Sequence, residues 1–119
     1  PMNCLDATVD GNGGAVSIAG AGAVPVPAGL ATSPEPGRPV IVGVRPEDLV
    51  VDPAGSLTLT VRAVEWLGHE CLIFANAGEQ SLIVRKAGMA DEVPGAELRV
   101  SVAPTAVHLF DADTTERLS

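Results

Sequence analysis

The sequence predicts an all-β fold, a small barrel or sandwich of about seven to nine short strands, and three observations carry that prediction. Thirteen glycines and ten prolines cut the 119 residues into short segments. Almost no window carries the i, i+3, i+4, i+7 apolar stripe of an amphipathic helix. Two-residue alternation is instead explicit in Ser56–Val61, where Leu57, Leu59 and Val61 are interleaved with Ser56, Thr58 and Thr60.

Along the chain, Cys4–Val9 and Ala15–Ala19 are predicted strands joined by the turn "DGNGG", with a third strand at Ala23–Val26. Pro27–Pro39 reads as a surface connector, because Pro34, Pro36, Gly37 and Pro39 do not suit a sheet interior. It delivers the chain into a strand, Val40–Val44, that Pro46 stops. Past Val61 the phase slips: Ala63 continues the first face while Val64 and Trp66 fall on the other. A one-residue slip inside a continuous β-rich run predicts a bulge and a bent strand, which suits a barrel. Leu72–Phe74 and Leu82–Val84 form a hairpin around Asn76-Ala77-Gly78, residues that include two tolerant of positive φ. Both of its runs are apolar on either face, so cover on both sides is expected. Leu98–Val102 alternates through Arg99 and Ser101, Pro104 ends it, and Val107–Phe110 follows. The aromatics Trp66, Phe74 and Phe110 are assigned to the core.

A chain of 119 residues and 12.1 kDa suits one domain with one core. Residues 1–39 are expected to give the N-terminal strands and connector, and 40–119 the barrel. Pro1 replaces an initiating Met and no basic, apolar leader follows it, so a piece of a longer chain without a secretory signal is expected. No run approaches the ~20 apolar residues of a membrane span, and a soluble domain is expected. Seven basic against fifteen acidic residues give a net charge of −8, with Lys86 the only lysine. That balance argues against a phosphate-tracking surface and hence against nucleic acid. Cys4 and Cys71 form neither a C-x-x-C pair nor a disulfide framework, and read as small apolar fillers in a reducing compartment.

The spacing of the chain's glycines, cysteines, histidines and acidic residues fits no catalytic or cofactor pattern. Gly11 and Gly13 have Val16 where G-x-G-x-x-G needs glycine, Gly20 and Gly22 have Pro25 there, and no Gly-Lys pair can form a phosphate loop. His69, Cys71, His108 and Cys4 are the residues from which a metal site or a Cys–His nucleophile would have to be built, yet they lack C-x₂₋₄-C or H-x₃₋₅-H spacing. The acidic sets Glu47-Asp48, Asp91-Glu92 and Asp111, Asp113, Glu116 lack the D-x-[DN]-x-[DN]-G oxygen pattern and read as solvated charge. Oligonucleotide binding by an OB-type barrel would need a basic groove with stacking aromatics, which this composition does not offer. No catalytic, cofactor-binding or metal-binding residue is therefore assigned. What remains is Arg45-Pro46-Glu47-Asp48, an arginine set among carboxylates in a chain poor in cations.

That stretch lies within "GVRPEDL", Gly43–Leu49, which resembles the G-[VI]-R-P-E-[DH]-L motif in the C-terminal regulatory domain of ABC-importer ATPase subunits of the maltose and sugar type. "PMN", Pro1–Asn3, resembles the junction that follows the nucleotide-binding domain there. "VEWLGHE", Val64–Glu70, resembles its V-E-x-L-G-x-E strand and turn, and "HLFDADTTERL", His108–Leu118, its H-L-F-D-x-x-T-G-x-R-L ending, with Thr115 in place of the usual glycine. The resemblance implies an OB-like barrel of the TOBE type behind an ATPase domain, peripheral to the inner face of the cell membrane. By the same resemblance the domain is non-catalytic, needs no cofactor, and leaves ATP and Mg to the missing ATPase domain. Its implied partners are a second copy of the subunit, that ATPase domain, the permease subunits through it, and a regulatory protein. Arg45, Glu47 and Asp48 are the implied interface residues, the alternative being that Arg45 and a carboxylate merely brace the turn. A second functional reading is an oxyanion-binding TOBE module, with backbone amides at the glycine turns as its cradle.

Overall fold

Every strand pairing in the computed structural model is antiparallel, and the ten strands among its described residues, 1–27, 30 and 34–118, join one continuous sheet. They are β1 (Asn3–Val9), β2 (Ala15–Ile18), β3 (Gly22–Pro25), β4 (Pro39–Val44), β5 (Val50–Val51), β6 (Leu57–Trp66), β7 (Glu70–Ala77), β8 (Gln80–Ala87), β9 (Glu97–Ser101) and β10 (His108–Asp111). Single 3₁₀ turns at Pro46–Asp48 and Pro104–Ala106 are the only helical pieces among those residues. The spatial order is β10-β4-β1-β2-β3-β6-β7-β8, with β9 on the other edge of β6 and β5 beside β9. This is the all-β, OB-like architecture expected.

The ten-residue β6 is the pivot. Its first residue, Leu57, pairs with Gly22 on one side and Val100 on the other, and from Thr60 onward it pairs with β7. The predicted bulge is present: the register runs from Val61↔Ala75 to Ala63↔Phe74 and leaves Arg62 without a partner across the strand. Val64 and Trp66 thereby come opposite Ile73 and Cys71, both fully buried, so the slip returns them to the inner face.

The curled sheet closes where β8 returns to β1, and it does so without a backbone ladder. The Asn3 side chain donates from Nδ2 to the Ile83 carbonyl at 2.8 Å and accepts the Ile83 N–H on Oδ1 at 3.0 Å. Gln80 makes the reciprocal clamp, donating from Nε2 to the Asp6 carbonyl at 3.0 Å and accepting the Asp6 N–H on Oε1 at 2.7 Å. Each carboxamide offers a donor and an acceptor side by side, as a peptide group does, so two side chains substitute for ladder rungs. Nearby, the β7–β8 turn sits against the β2–β3 turn. A Cβ at Gly78 would lie 2.1 Å from the Ala19 carbonyl oxygen, so only glycine fits.

The core inside this sheet is aliphatic. Leu5, Val16, Ile18, Val42, Leu57, Leu59, Val61, Ile73 and Leu109 belong to one buried cluster that draws on residues before and after position 40, and among the described residues no polar side chain is buried.

Several expectations are corrected. Trp66 is 50% exposed and Phe74 and Phe110 are only half-buried, because short aliphatic side chains already fill the narrow interior. Cys71 is a buried filler as expected, but Cys4 is exposed, sharing with Asp6 and Thr8 the outward face of β1. Asn76 and Ala77 remain in register with Ser81 and Gln80, so the hairpin turn is Gly78-Glu79, with positive φ at Gly78 alone, the type II′ pattern. One face of β7 is buried and the other only half-buried, so the hairpin is not covered on both sides. Pro39 begins β4 opposite Thr8, a first-residue position that a sheet tolerates. Of the expected connector Pro27–Pro39, residues 28, 29 and 31–33 lie outside the described residues, and its end is tied to β1 by Val9 N–H to Arg38 O at 3.0 Å and Gly37 N–H to Val9 O at 2.8 Å.

Removing the partly buried clamp, Asn3→Ala, strands both backbone groups of Ile83 and should cost about 1–3 kcal/mol. The Gln80→Ala change should cost less, about 1 kcal/mol, since the bonds it removes are exposed and water replaces them. Urea midpoints of the two variants, at an unchanged slope, check the order.

Candidate functional site

Three of the sequence stretches singled out above meet at one residue. Gly43, on β4, pairs with Cys4 of β1 on one side and His108 of β10 on the other. A Cβ placed there would lie 2.7 Å from Met2 Cε and 2.9 Å from Phe110 Cε2. The glycine of "GVRPEDL" is thus the slot into which the methionine of "PMN" and the phenylalanine of "HLFD" pack.

From this junction β4 runs out into the charged turn. Val44 is buried, Arg45 is extended (φ −75°, ψ 147°), and Pro46 starts the single 3₁₀ turn, which Asp48 N–H closes on Arg45 O at 3.0 Å. Leu49, 3% exposed, anchors the far side before β5 begins. The three candidate residues are therefore held on a short turn between two buried anchors. Arg45 and Glu47 are exposed and Asp48 is half-buried. No side-chain hydrogen bond caps the turn, and among the described residues Arg45, Glu47 and Asp48 make no ion pair, so the arginine does not brace it. Arg45 and Glu47 line a surface hollow of about 320 Å³ with Pro1 and Met2, and Glu47 also borders a second hollow with Leu49, Val50, Val51, Arg85, Lys86 and Ala87.

The residues considered for metal or nucleophilic chemistry are dispersed. His69 is exposed beyond the end of β6, Cys71 is buried in β7, Cys4 faces solvent, and His108 Nδ1 lies 2.6 Å from Arg117 Nη2. Burial pushes the Cys71 thiol above its ordinary range, the opposite of what activates a cysteine. Two of the acidic residues read as solvated charge are ion-paired instead: Glu92 with Lys86 at 3.3 Å, and Asp111 with Arg38 at 2.6 Å.

Asp111 organises the C-terminal turn. Its Oδ1 accepts the N–H groups of Asp113 and Thr114 at 2.8 and 2.9 Å, while Oδ2 takes the Arg38 guanidinium. These contacts, the Thr114 amide first and the arginine next, hold the carboxyl down to about 2. Thr115, standing where the resembled ending has glycine, takes φ +59°, the one positive φ among described non-glycine residues.

Comparison with known proteins decides the family. The family model described as the TOBE domain matches residues 42–110, and the one described as the MalK OB fold domain matches residues 1–49. The chain belongs to the TOBE domain family. It is similar to the sn-glycerol-3-phosphate import ATP-binding protein UgpC of Jannaschia sp. (strain CCS1), at 39% identity over 99% of this chain and 32% of that protein. The sulfoquinovosyl glycerol transport ATP-binding protein SmoE of Agrobacterium fabrum is 44% identical over 68% of this chain and 23% of that protein. This TOBE chain spans about a third of the length of the UgpC relatives it matches. In three dimensions it is similar to the cytoplasmic molybdate-binding protein ModG, with a TM-score of 0.64 over 90% of this chain and 94% of that one, at 16% identity. That likeness concerns the fold.

Two outcomes follow at the C-terminal turn. A carboxyl held low in the folded state contributes stability that is complete above the ordinary carboxylate range and is lost as the pH falls toward 2. Asp111→Ala should therefore lower the Tm at neutral pH, and its gap from the parent should narrow between pH 4 and 2; thermal melts across that range check it. Thr115→Gly removes a left-handed threonine and should raise stability by up to about 1 kcal/mol, read from urea midpoints.

Proposed function

We propose that this chain is the non-catalytic regulatory and dimerisation domain of the ATP-binding subunit of an ABC importer for sugars or related solutes such as glycerol phosphate. The observation that carries the reading is the full-length match of this chain to about one third of import ATP-binding proteins. The rest of such a subunit would supply the ATPase, with its ATP and Mg, and would bring this domain to the inner face of the membrane through the permease subunits. The domain's own contribution is then surface recognition.

Arg45, Glu47 and Asp48 are the residues we assign to that surface. They sit on a turn fixed from both ends, and their charges make no ion pair among the described residues. Exposed pairs of this kind are worth only ~0–1 kcal/mol each, so they steer and register a contact more than they hold it. Holding could come from tethering, since a second copy fixed through its ATPase half is present at high effective concentration.

Oxyanion binding is the second reading, favoured by the molybdate-bound state of the ModG fold relative. The hollow at the Gly20 and Gly78 turns is also lined by Asp6 and Glu79, whose charges oppose an anion, and we rank it second. Calorimetry with molybdate, tungstate and phosphate separates the two readings.

In the full-length subunit, Arg45→Glu and Glu47→Arg should each change regulated transport or subunit association several-fold while leaving ATP hydrolysis by the detached subunit unchanged. Transport assays in vesicles and sedimentation check this. Unchanged regulation and association in a subunit lacking residues 1–119 altogether would remove the reading.

A further inference from the structure

The turn joining β1 to β2, Asp10-Gly11-Asn12-Gly13-Gly14, holds the only asparagine of the chain that is followed by glycine. Asn12 is exposed, and its Oδ1 accepts the Gly14 N–H at 2.9 Å. The Gly13 N–H donates to the Asp10 carbonyl at 3.0 Å, with Gly13 at φ +73°. Asp10 Oδ1 is itself occupied by the Ser17 hydroxyl.

An asparagine carboxamide is an electrophile within reach of the next residue's backbone nitrogen, because attack closes a small ring inside one molecule. Glycine at the following position has no side chain to crowd that ring. Negative charge then develops on Oδ1, and a donor already aimed there stabilises it without reorganisation. The Gly14 N–H is such a donor. What opposes attack is the bond from Gly13 N–H to Asp10, a single backbone bond in a turn whose glycines rotate easily. The chain's other asparagines are placed differently. Asn3 lies in β1 with its carboxamide bonded at both ends to Ile83, and Asn76 lies in β7 in register with Thr60 and Ser81. Both are followed by residues that carry a Cβ, Cys4 and Ala77.

We propose that Asn12 is a site of spontaneous deamidation, promoted by the Gly14 N–H. The Gly13 nitrogen gives its proton to solvent base and bonds to Asn12 Cγ. The Cγ–Nδ2 bond breaks, ammonia leaves, and a cyclic imide remains. Water opens the imide at one of its carbonyls: at Cγ it gives aspartate, and at the main-chain carbonyl it gives isoaspartate, whose chain runs through Cβ. One water is consumed and one ammonia released, with no oxidant or cofactor. Either product adds a negative charge, and isoaspartate also lengthens by a methylene the turn that sets β1 against β2. β1 in turn seats β4. The inference does not depend on the role given to the Arg45–Asp48 turn.

Peptide mass spectrometry of the folded chain, sampled during incubation in mildly alkaline buffer, tests the site. Asn12 should gain about one dalton, and about tenfold faster or more than Asn3 or Asn76. Isoaspartyl methyltransferase should label the same peptide. Gly14→Pro removes the promoting N–H and should slow the reaction several-fold in the folded chain but not in urea. The isoaspartate form, separated by ion exchange, should show a lower urea midpoint than Asn12→Asp, which carries the same charge without the added methylene. The proposal is overturned by equal rates at the three asparagines, by an Asn12 modified in urea and not in the folded chain, or by a Gly14→Pro variant that keeps both the parent's urea midpoint and its rate.

Discussion

The sheet depends on one seam. Strands β10 through β8 form an open, curled ribbon, and what returns β8 to β1 is the pair of carboxamide clamps, Asn3 on Ile83 and Gln80 on Asp6. β1 is laddered on its other edge to β4 along Asn3–Thr8, so whatever fixes β1 also fixes the strand that carries the Arg45–Asp48 turn. The bulge at Arg62 bends β6, and the contact of Gly78 with the Ala19 carbonyl seats the hairpin; both bring β8 to where an amide can reach. The asparagine of "PMN" thereby acquires a physical reason, as the side chain that completes the sheet.

How much of this was legible follows from the range of each signal. Strands announce themselves through neighbouring residues, so the Leu57–Leu59–Val61 alternation and the slip after it located β6 and its bulge correctly. The seam joins residues 74 and 80 positions apart through side chains, and no local period encodes such a bond. The slot at Gly43 is similar: the sequence showed three separate motifs, and only the pairing of β4 with both β1 and β10 places Met2 and Phe110 over that glycine. The aromatics were misplaced because a core assignment weighs hydrophobicity and not volume, and this interior is filled by Val, Leu and Ile. Of the candidate residues, the turn that carries them was legible from Pro46; their lack of partners was not.

That lack of partners is informative in a chain with fifteen acidic residues and seven basic ones. Arg38, Arg85 and Lys86 each find a carboxylate, Arg99 donates to the Gly55 carbonyl at 2.8 and 3.1 Å, and Arg117 reaches His108. Arg45 and Arg62 have no such partner among the described residues. Arg62 is the residue the bulge ejects from the ladder, so its isolation follows from strand geometry. Arg45 is different, because two carboxylates lie within three residues of it. Neither carboxylate pairs with it, although the single turn that Pro46 opens places both close in sequence.

An arginine kept from its nearest carboxylates remains solvated and retains its full bonding capacity, five N–H donors in a planar fork. The cost of exposing it is small, since a surface pair would have returned only ~0–1 kcal/mol. Satisfying those donors from outside is worth more where the contact excludes water, because the effective dielectric falls as the partner approaches. On the interface role proposed for it, a turn built this way would be weak in the free domain and selective in a complex. The seam makes that selectivity geometric, because it fixes the position of β4 and so the direction in which the charges point.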